Sequence, residues 1–168
     1  NAAAVLVGRN FTYGRAVSGD VDTLTSDGNQ LGFLVKIFDL VQANGTISST
    51  RIRELLLSGN VSAAADLLGR NFTLNGQVVK GDQRGRELGY PTANLEWDES
   101  LIVPADGVYA GYVNVSGERL PAAISVGTNP QFEGNSQRVE AYVLGRTDLD
   151  LYGKHIGVEF VELIRPQQ

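Results

Sequence analysis

The second part of the chain consists of short strand-like stretches that recur at regular intervals, and this recurrence constrains the fold more than any other feature. The stretches are rich in β-branched and aromatic residues, and turn-forming residues separate them. Several short strands joined by turns are typical of antiparallel sheets that close on themselves. The sequence therefore predicts a small antiparallel barrel, with strands at 72–80, 107–115, 118–126, 137–145 and 156–164.

The first part of the chain has a different pattern, in which strand and helix signals alternate. An apolar run at 2–7 predicts a buried strand, and residues 33–38 predict a second one. Such alternation is typical of α/β structure. We therefore expect an α/β region ahead of the barrel.

Two short helices are predicted between these regions. Ser48 or Ser49 can cap the first, which runs to Gly59, and Asn60 can cap a second, which ends at Gly69. No low-complexity linker follows them. We place the domain boundary near Gly69, which divides the chain into residues 1–69 and 70–168.

Composition disfavours several classes of partner. The formal net charge is -5 and the pI is near 4.8, whereas nucleic acids and anionic membranes favour clustered basic residues. No apolar run approaches the roughly 20 residues of a membrane-spanning helix. The chain has no cysteine, which fits a cytoplasmic location and excludes disulfides and thiolate chemistry. The sequence leaves the oligomeric state open.

A candidate metal-nucleotide site lies in the run GRELGYPTAN at 85–94. Pro91 favours extended geometry, and residues two apart in an extended chain point the same way, so Thr92 and Asn94 can reach one ion. Hydroxyl and amide oxygens carry no charge, so Mg²⁺ held by them would take its other ligands from water and phosphates. The same run is also typical of a glycine-rich turn that enters a strand, and spacing alone favours this second interpretation.

Several sequence blocks together indicate a family. GRELGYPTANLEW followed by VPADGVYAGYV resembles the riboflavin kinase domain of bacterial bifunctional riboflavin kinase/FMN adenylyltransferases, the FAD synthetases. Downstream, SVGTNPQF, QRVEAYVL and DLYGKHIGVEF resemble the rest of that domain, while VGRNFTYG and ISSTRIREL upstream resemble the end of the adenylyltransferase domain. The blocks occur in the family's order and cover nearly the whole chain.

The resemblance implies a fold and an activity. Residues 70–168 would form a six-stranded, Greek-key-like antiparallel barrel without the family's C-terminal helical segment, and residues 1–69 would be the C-terminal part of a nucleotidyltransferase α/β domain. The barrel would transfer the ATP γ-phosphate to the 5'-hydroxyl of riboflavin, with Mg²⁺, to give FMN and ADP. The start without Met and the missing helical segment suggest that sequence is absent at both ends.

Roles for individual residues also follow from the resemblance. Glu140 falls where the family has its catalytic base, although alternation alone favours a solvent-exposed strand glutamate. Thr92 and Asn94 correspond to the Mg²⁺ ligands. The loop expected to close over ATP contributes nucleotide-binding residues, which are Gly81, Arg84, Gly85, Arg86, Gly89 and Pro91. Among the aromatic residues, the sequence does not single out flavin neighbours.

The adenylyltransferase-like blocks have implied roles as well. Asn10 lies in one block, and the other would bind ATP phosphates at a helix N-terminus through Ser48, Ser49, Thr50, Arg51 and Arg53. Without the resemblance, this second block is an ordinary capped helix. The HxGH-type motif of that active site is not in the sequence, and the one histidine, His155, is expected at a turn or strand edge. We therefore do not expect this chain to adenylylate FMN.

Two alternatives to the kinase remain open at this stage. The barrel could bind a flavin or nucleotide without catalysis, or serve as an assembly module. The chain could also be an adenylyltransferase with a vestigial kinase domain, which the missing motif disfavours.

Overall fold

The computed structural model describes residues 2–40, 47–81, 91–128, 137–146 and 148–167. These residues form two compact units, 1–47 and 48–168. The predicted boundary near Gly69 thus does not coincide with the division between compact units, because the two predicted helices pack with the barrel. As a boundary between domains of different origin, Gly69 stays a prediction.

The first unit is a small β-α-β arrangement. Strand β1 (Ala4–Gly8) pairs in parallel with β2 (Leu34–Phe38), and helix α1 (Val21–Leu31) connects them after a 3-10 turn at Arg15–Val17. Asp20 caps α1 through a capping box with Thr23. Gly32 ends the helix in the left-handed conformation.

The prediction that the first strand is buried is wrong. Leu6 of β1 is 62% exposed and Leu34 of β2 is 74% exposed, whereas Val7 is the one buried hydrophobic residue of the described first unit. A strand in a central sheet is covered on both faces, but a two-stranded sheet with a single helix cannot cover its residues in that way. The apolar run was correctly identified as a strand, and only its environment differs.

The second unit begins with the two predicted helices. Helix α2 (Ser49–Leu57) is capped by Ser48, whose hydroxyl accepts a hydrogen bond from the Arg51 amide at 3.2 Å. Helix α3 (Val61–Leu68) is capped by Asn60 and ends at Gly69 in the left-handed conformation. Both caps confirm the sequence prediction. Helix α3 packs on the barrel strands that begin at Phe72 and His155.

A closed six-stranded antiparallel barrel follows the helices. Its strands are β3 (Phe72–Val79), β4 (Ala93–Glu96), β5 (Gly107–Val115), β6 (Glu118–Thr128), β7 (Gln137–Val143) and β8 (His155–Pro166), in the order β3-β4-β7-β6-β5-β8. Because β4 pairs with β7 and β5 with β8, the barrel is not a simple meander. The five predicted stretches correspond to β3, β5, β6, β7 and β8, and the short β4 is the sixth strand.

Alternating residues of each strand fill the barrel interior. Tyr109, Val113, Ile124, Val158 and Phe160 are fully buried there. The ring of Tyr109 meets that of Phe160 edge to face, with centroids 5.3 Å apart. Since inward and outward residues alternate, this core determines which side chains of each strand face outward.

Candidate active site

A cavity lies where β3, β4 and β7 meet the segment that connects β7 to β8. Its volume is about 530 Å³. Two groups of residues line it: from the strands and the chain beside them, Val78, Gly81, Pro91, Thr92, Ala93, Asn94, Ala141 and Val143; and from the connecting segment, Arg146, Asp148, Leu149, Asp150, Leu151 and Tyr152. The predicted metal ligands therefore face a space that can hold a small molecule.

Asn94 faces this cavity because residues of strand β4 alternate between the barrel interior and its outer face. Ala93 and Leu95 are each 5% exposed and point into the barrel, so Asn94 between them points outward. Thr92 lies two residues earlier and also lines the cavity. The structure thus places at one cavity the two side chains that the spacing allows to reach one ion.

Glu140 lies directly across from Asn94. The two residues are partners in the antiparallel pairing of β4 with β7, and on the other side of β7 the partner of Glu140 is Ser125. Opposite residues in such a pair point to the same face, with Cβ atoms about 5 Å apart. Because Val139 and Ala141 are each 1% exposed and fill the interior, Glu140 stands on the outer face beside Asn94, half-buried.

The connecting segment provides charged groups on the other wall of the cavity. Arg146 donates two hydrogen bonds to Asp148, Nε to Oδ1 at 2.7 Å and Nη2 to Oδ2 at 3.0 Å. These bonds lower the pKa of Asp148 and raise the pKa of Arg146. The side chains of Arg146 and Asp148 are 39% and 67% exposed, so this ion pair is accessible to a ligand in the cavity.

Sequence reasoning did not single out these residues of the second wall, or Tyr152. They lie in an irregular segment, where no periodicity marks a side chain as facing a cavity. Part of the segment belongs to the DLYGKHIGVEF block, and that resemblance was the one signal that pointed to it.

Comparisons with known proteins cover both units. The family model described as Flavokinase: Riboflavin kinase matches residues 68–168. The chain belongs to the riboflavin kinase family. It is 38% identical to the bifunctional riboflavin kinase/FMN adenylyltransferase of Escherichia coli K12. The aligned region covers 96% of this chain and 52% of that protein. It is 32% identical to the protein of the same name from Bacillus subtilis, and the aligned region covers 100% of this chain and 54% of that protein.

A solved structure is also similar over the whole chain. The crystal structure named as a macrolide-efflux protein from Streptococcus pneumoniae has a TM-score of 0.86 and 37% identity, and it covers 100% of this chain and 54% of that one. The riboflavin kinase match confirms the family expected from the sequence blocks. The chain spans about half the length of the curated relatives it matches. No helix within the described ranges is long and apolar enough to cross a membrane.

The predicted residues of this riboflavin kinase family chain divide into three groups by position. Gly81, Pro91, Thr92 and Asn94 line the cavity, and Glu140 is adjacent through its pairing with Asn94. Arg84, Gly85, Arg86 and Gly89 lie outside the described residues. The third group contains the residues assigned to the adenylyltransferase remnant. The roles of all of them stay predictions.

None of the third group is among the residues that line the cavity. Ser48 serves as the N-cap of α2, and Ser49, Thr50, Arg51 and Arg53 lie in the first turns of that helix. Asn10 belongs to the other compact unit, after β1, and is exposed. His155 is exposed and begins β8, which confirms the expectation of a strand edge.

A second polar cluster lies on the outer face of β5, β6 and β8 and includes Asn71, which directly precedes β3. Glu159 accepts two hydrogen bonds from Arg119, at 2.8 and 3.0 Å, one from Asn71 at 2.7 Å and one from Asn114 at 3.2 Å. The Arg119 guanidinium also lies 3.3 Å from the ring centroid of Tyr112. The bonds from Arg119, with those from the two asparagines, lower the pKa of Glu159 to about 2.

Proposed function

We propose that this chain is an ATP-dependent riboflavin kinase, which transfers the γ-phosphoryl group of ATP to the 5'-hydroxyl of riboflavin and produces FMN and ADP. The observation that carries the proposal is the pairing of Asn94 with Glu140 beside the cavity lined by Thr92 and Asn94. All three residues lie within the part of the chain that the family model matches. A base, candidate metal ligands and a ligand-sized space are thus adjacent.

Glu140 would act as the general base. Its carboxylate would accept the proton of the riboflavin 5'-hydroxyl while that oxygen forms a bond to the γ-phosphorus and the bond from the γ-phosphorus to the β,γ-bridging oxygen breaks. ADP then leaves with the electrons of the broken bond. The outer face of β7 suits this role because Glu140 is half-buried there next to Asn94, which lines the cavity, and does not lie in the apolar barrel interior.

Thr92 and Asn94 fit Mg²⁺ by the chemistry of their donor atoms. Both would offer neutral oxygens at the cavity, and Mg²⁺ commonly retains waters and binds substrate phosphates. Within the described ranges, no group of three or more His, Cys, Asp or Glu side chains could hold a metal ion by itself. Bound Mg²⁺ would neutralise charge on the ATP phosphates, and Arg84 and Arg86 would add charge-assisted hydrogen bonds to them.

We also propose that residues 1–69 are the C-terminal part of an FMN adenylyltransferase domain. The β-α-β arrangement of β1, α1 and β2 supports this assignment. So do the curated relatives, whose similarity extends over at least 96% of the chain and whose names include that activity. Asn10 and the Ser48–Arg53 segment would belong to the ATP site of that domain.

The function is tested by incubating the purified chain with riboflavin, ATP and Mg²⁺ and measuring FMN by chromatography. Glu140→Gln should lower the rate of FMN formation by about 10²- to 10⁴-fold, since that is the usual contribution of base catalysis, and should leave ATP binding intact. Glu96→Gln is the matched control, because Glu96 is an exposed strand glutamate of β4 whose cross-strand partner is Gln77. Glu140, by contrast, pairs with Asn94, which lines the cavity.

Three outcomes would count against parts of this proposal. A wild-type chain that binds riboflavin and ATP without forming FMN would be a non-catalytic binding barrel. Equal rates for Glu140→Gln and wild type would remove Glu140 from the reaction. Formation of FAD from FMN and ATP by this chain would show that the adenylyltransferase activity does not need the missing motif.

A further inference from the structure

Gly81 lies against the side chain of Asn94. It follows the end of β3, and the last residue of that strand, Val79, pairs with Asn94. A Cβ atom at position 81 would overlap the Cγ, Nδ2 and Oδ1 atoms of Asn94, which together form its amide group. The space that a larger residue would fill at position 81 is therefore occupied by the Asn94 amide.

Position 81 needs glycine because there is no room for a side chain, and not because of its φ angle. The φ angle of Gly81 lies outside the left-handed region, so this angle does not by itself require glycine. This differs from Gly59, Gly69 and Gly153, whose φ angles of 79°, 69° and 72° favour glycine by themselves. An alanine at 81 would be compatible with this φ angle and opposed by the Asn94 amide.

Relief of that overlap would move the amide more readily than the barrel. Asn94 has two side-chain torsions and its amide is the end of the side chain, whereas its backbone is paired on both sides, with β3 and with β7. A methyl group at 81 would thus turn the amide to another orientation while the strands stay in place. The amide would leave the orientation that it has at the cavity, which Asn94 lines together with Thr92.

We propose that Gly81 is a positioning residue for the Mg²⁺ site: by having no side chain, it lets the Asn94 amide take the orientation that presents its oxygen beside Thr92. This inference rests on the proposed function. In this role Gly81 acts through Asn94, whereas the family resemblance implies contact between Gly81 and the nucleotide.

The experiment compares the wild-type chain with Gly81→Ala, Asn94→Ser and the double variant. Serine at 94 keeps a neutral oxygen but is short enough to leave room for a methyl group at 81. Gly81→Ala should raise the half-saturating Mg²⁺ concentration for ATP binding in calorimetry by about 10- to 100-fold, the usual effect of losing support for a metal ligand. In the Asn94→Ser background, the same substitution should have no further effect.

A second measurement reads the orientation of the amide without metal or nucleotide. The side-chain amide resonances of Asn94, assigned by their absence in Asn94→Ser, should shift in Gly81→Ala. Gly157→Ala is the matched control, because its Cβ would lie 2.9 Å from Oδ1 of Asn75 on the barrel's outer face, away from the cavity. It should shift the Asn75 amide and leave the Mg²⁺ dependence unchanged.

The outcomes separate this inference from the proposed function. Wild-type Mg²⁺ dependence and an unshifted Asn94 amide in Gly81→Ala would overturn the role of Gly81 alone. An equal loss of Mg²⁺ affinity in the wild-type and Asn94→Ser backgrounds would show that Gly81 acts without Asn94, and would overturn it too. If Gly81→Ala does not fold, the Mg²⁺ dependence of ATP binding is compared between the double variant and Asn94→Ser. A lower Mg²⁺ affinity in the double variant would then overturn the role of Gly81. A wild-type chain without Mg²⁺-dependent ATP binding would contradict the proposed function and this inference together.

Discussion

The two bidentate arginine–carboxylate pairs described in residues 48–168 have the same chemistry and opposite surroundings. Arg119 and Glu159 pair on the outer face of β5, β6 and β8, where the Glu159 side chain is only 12% exposed and two asparagines also donate to it. Arg146 and Asp148 pair on the cavity wall, where the Asp148 side chain is 67% exposed. Only the first carboxylate has further side-chain donors described around it.

This difference separates a polar cluster that supports the fold from one that can meet a ligand. The donors of the Glu159 cluster come from separate positions on the chain and are directed at one carboxylate, which leaves little capacity for another molecule. The Arg146–Asp148 pair can exchange partners at small cost, because its groups are already close to water. The role of an ion pair, structural or ligand-binding, therefore depends on its surroundings as much as on its geometry.

The largest effect on stability is expected from Glu159→Gln. Glutamine keeps the size of the side chain but removes the charge that Arg119 and the two asparagines bind, so the free energy of unfolding should fall by about 2 kcal/mol. FMN formation should remain within about twofold of wild type. Chemical denaturation and the FMN assay measure the two effects.

Glu162→Gln is the control for this substitution, because Glu162 lies on the same strand and is exposed. It should change the free energy of unfolding by less than about 0.5 kcal/mol, as surface substitutions usually do. If Glu159→Gln lowers the rate of FMN formation strongly while its stability stays at the wild-type value, the distinction between the two clusters is wrong.

Much of the barrel could be predicted because its signal is local. In β7, the sequence alternates so that Val139, Ala141 and Val143 share one face and Glu140 lies on the other, and the structure buries the first three. Caps at Ser48 and Asn60 were also visible, since a cap depends on a few consecutive residues. By contrast, β4 has four residues, too few for a clear alternation.

Other features depend on contacts between distant parts of the chain. The Glu159 cluster joins Asn71, Asn114 and Arg119 to β8 through strand register, which the sequence does not display. The same is true of Asn94 and Glu140, whose adjacency depends on β4 pairing with β7 and was reached only through the family resemblance. Helix α1 was missed because its residues at 21–31 are largely polar, although Asp20 and Thr23 form a capping box.

The stability supplied by Glu159 should depend on pH in the acid range. Its pKa is about 2 in the folded protein, lowered from an ordinary value of 4.5, so between these values the unfolded chain binds more protons than the folded one. The contribution is therefore fully present above about pH 4.5 and is lost as the pH falls towards 2. The difference in the free energy of unfolding between wild type and Glu159→Gln should shrink from about 2 kcal/mol to near zero over this range.

Other carboxylates do not confound this measurement, because it is a difference between two proteins. The pKa of Asp20 is lowered chiefly by hydrogen bonds from Thr23, and the pKa of Asp98 chiefly by those from Ser100. Both groups are present in wild type and in Glu159→Gln. A difference that stays constant down to pH 2 would show that the charge of Glu159 does not stabilise the fold.

The smallest effect on stability is expected at the exposed pair. Asp148→Asn removes the carboxylate that Arg146 binds, but both side chains are accessible to water, so the thermal unfolding midpoint should not change measurably. If the cavity binds ATP, freeing the Arg146 guanidinium on its wall should change the affinity for the anionic nucleotide, measured by calorimetry. A loss of stability as large as that of Glu159→Gln, with unchanged ATP affinity, would mean that both pairs support the fold and that the contrast in exposure does not predict their roles.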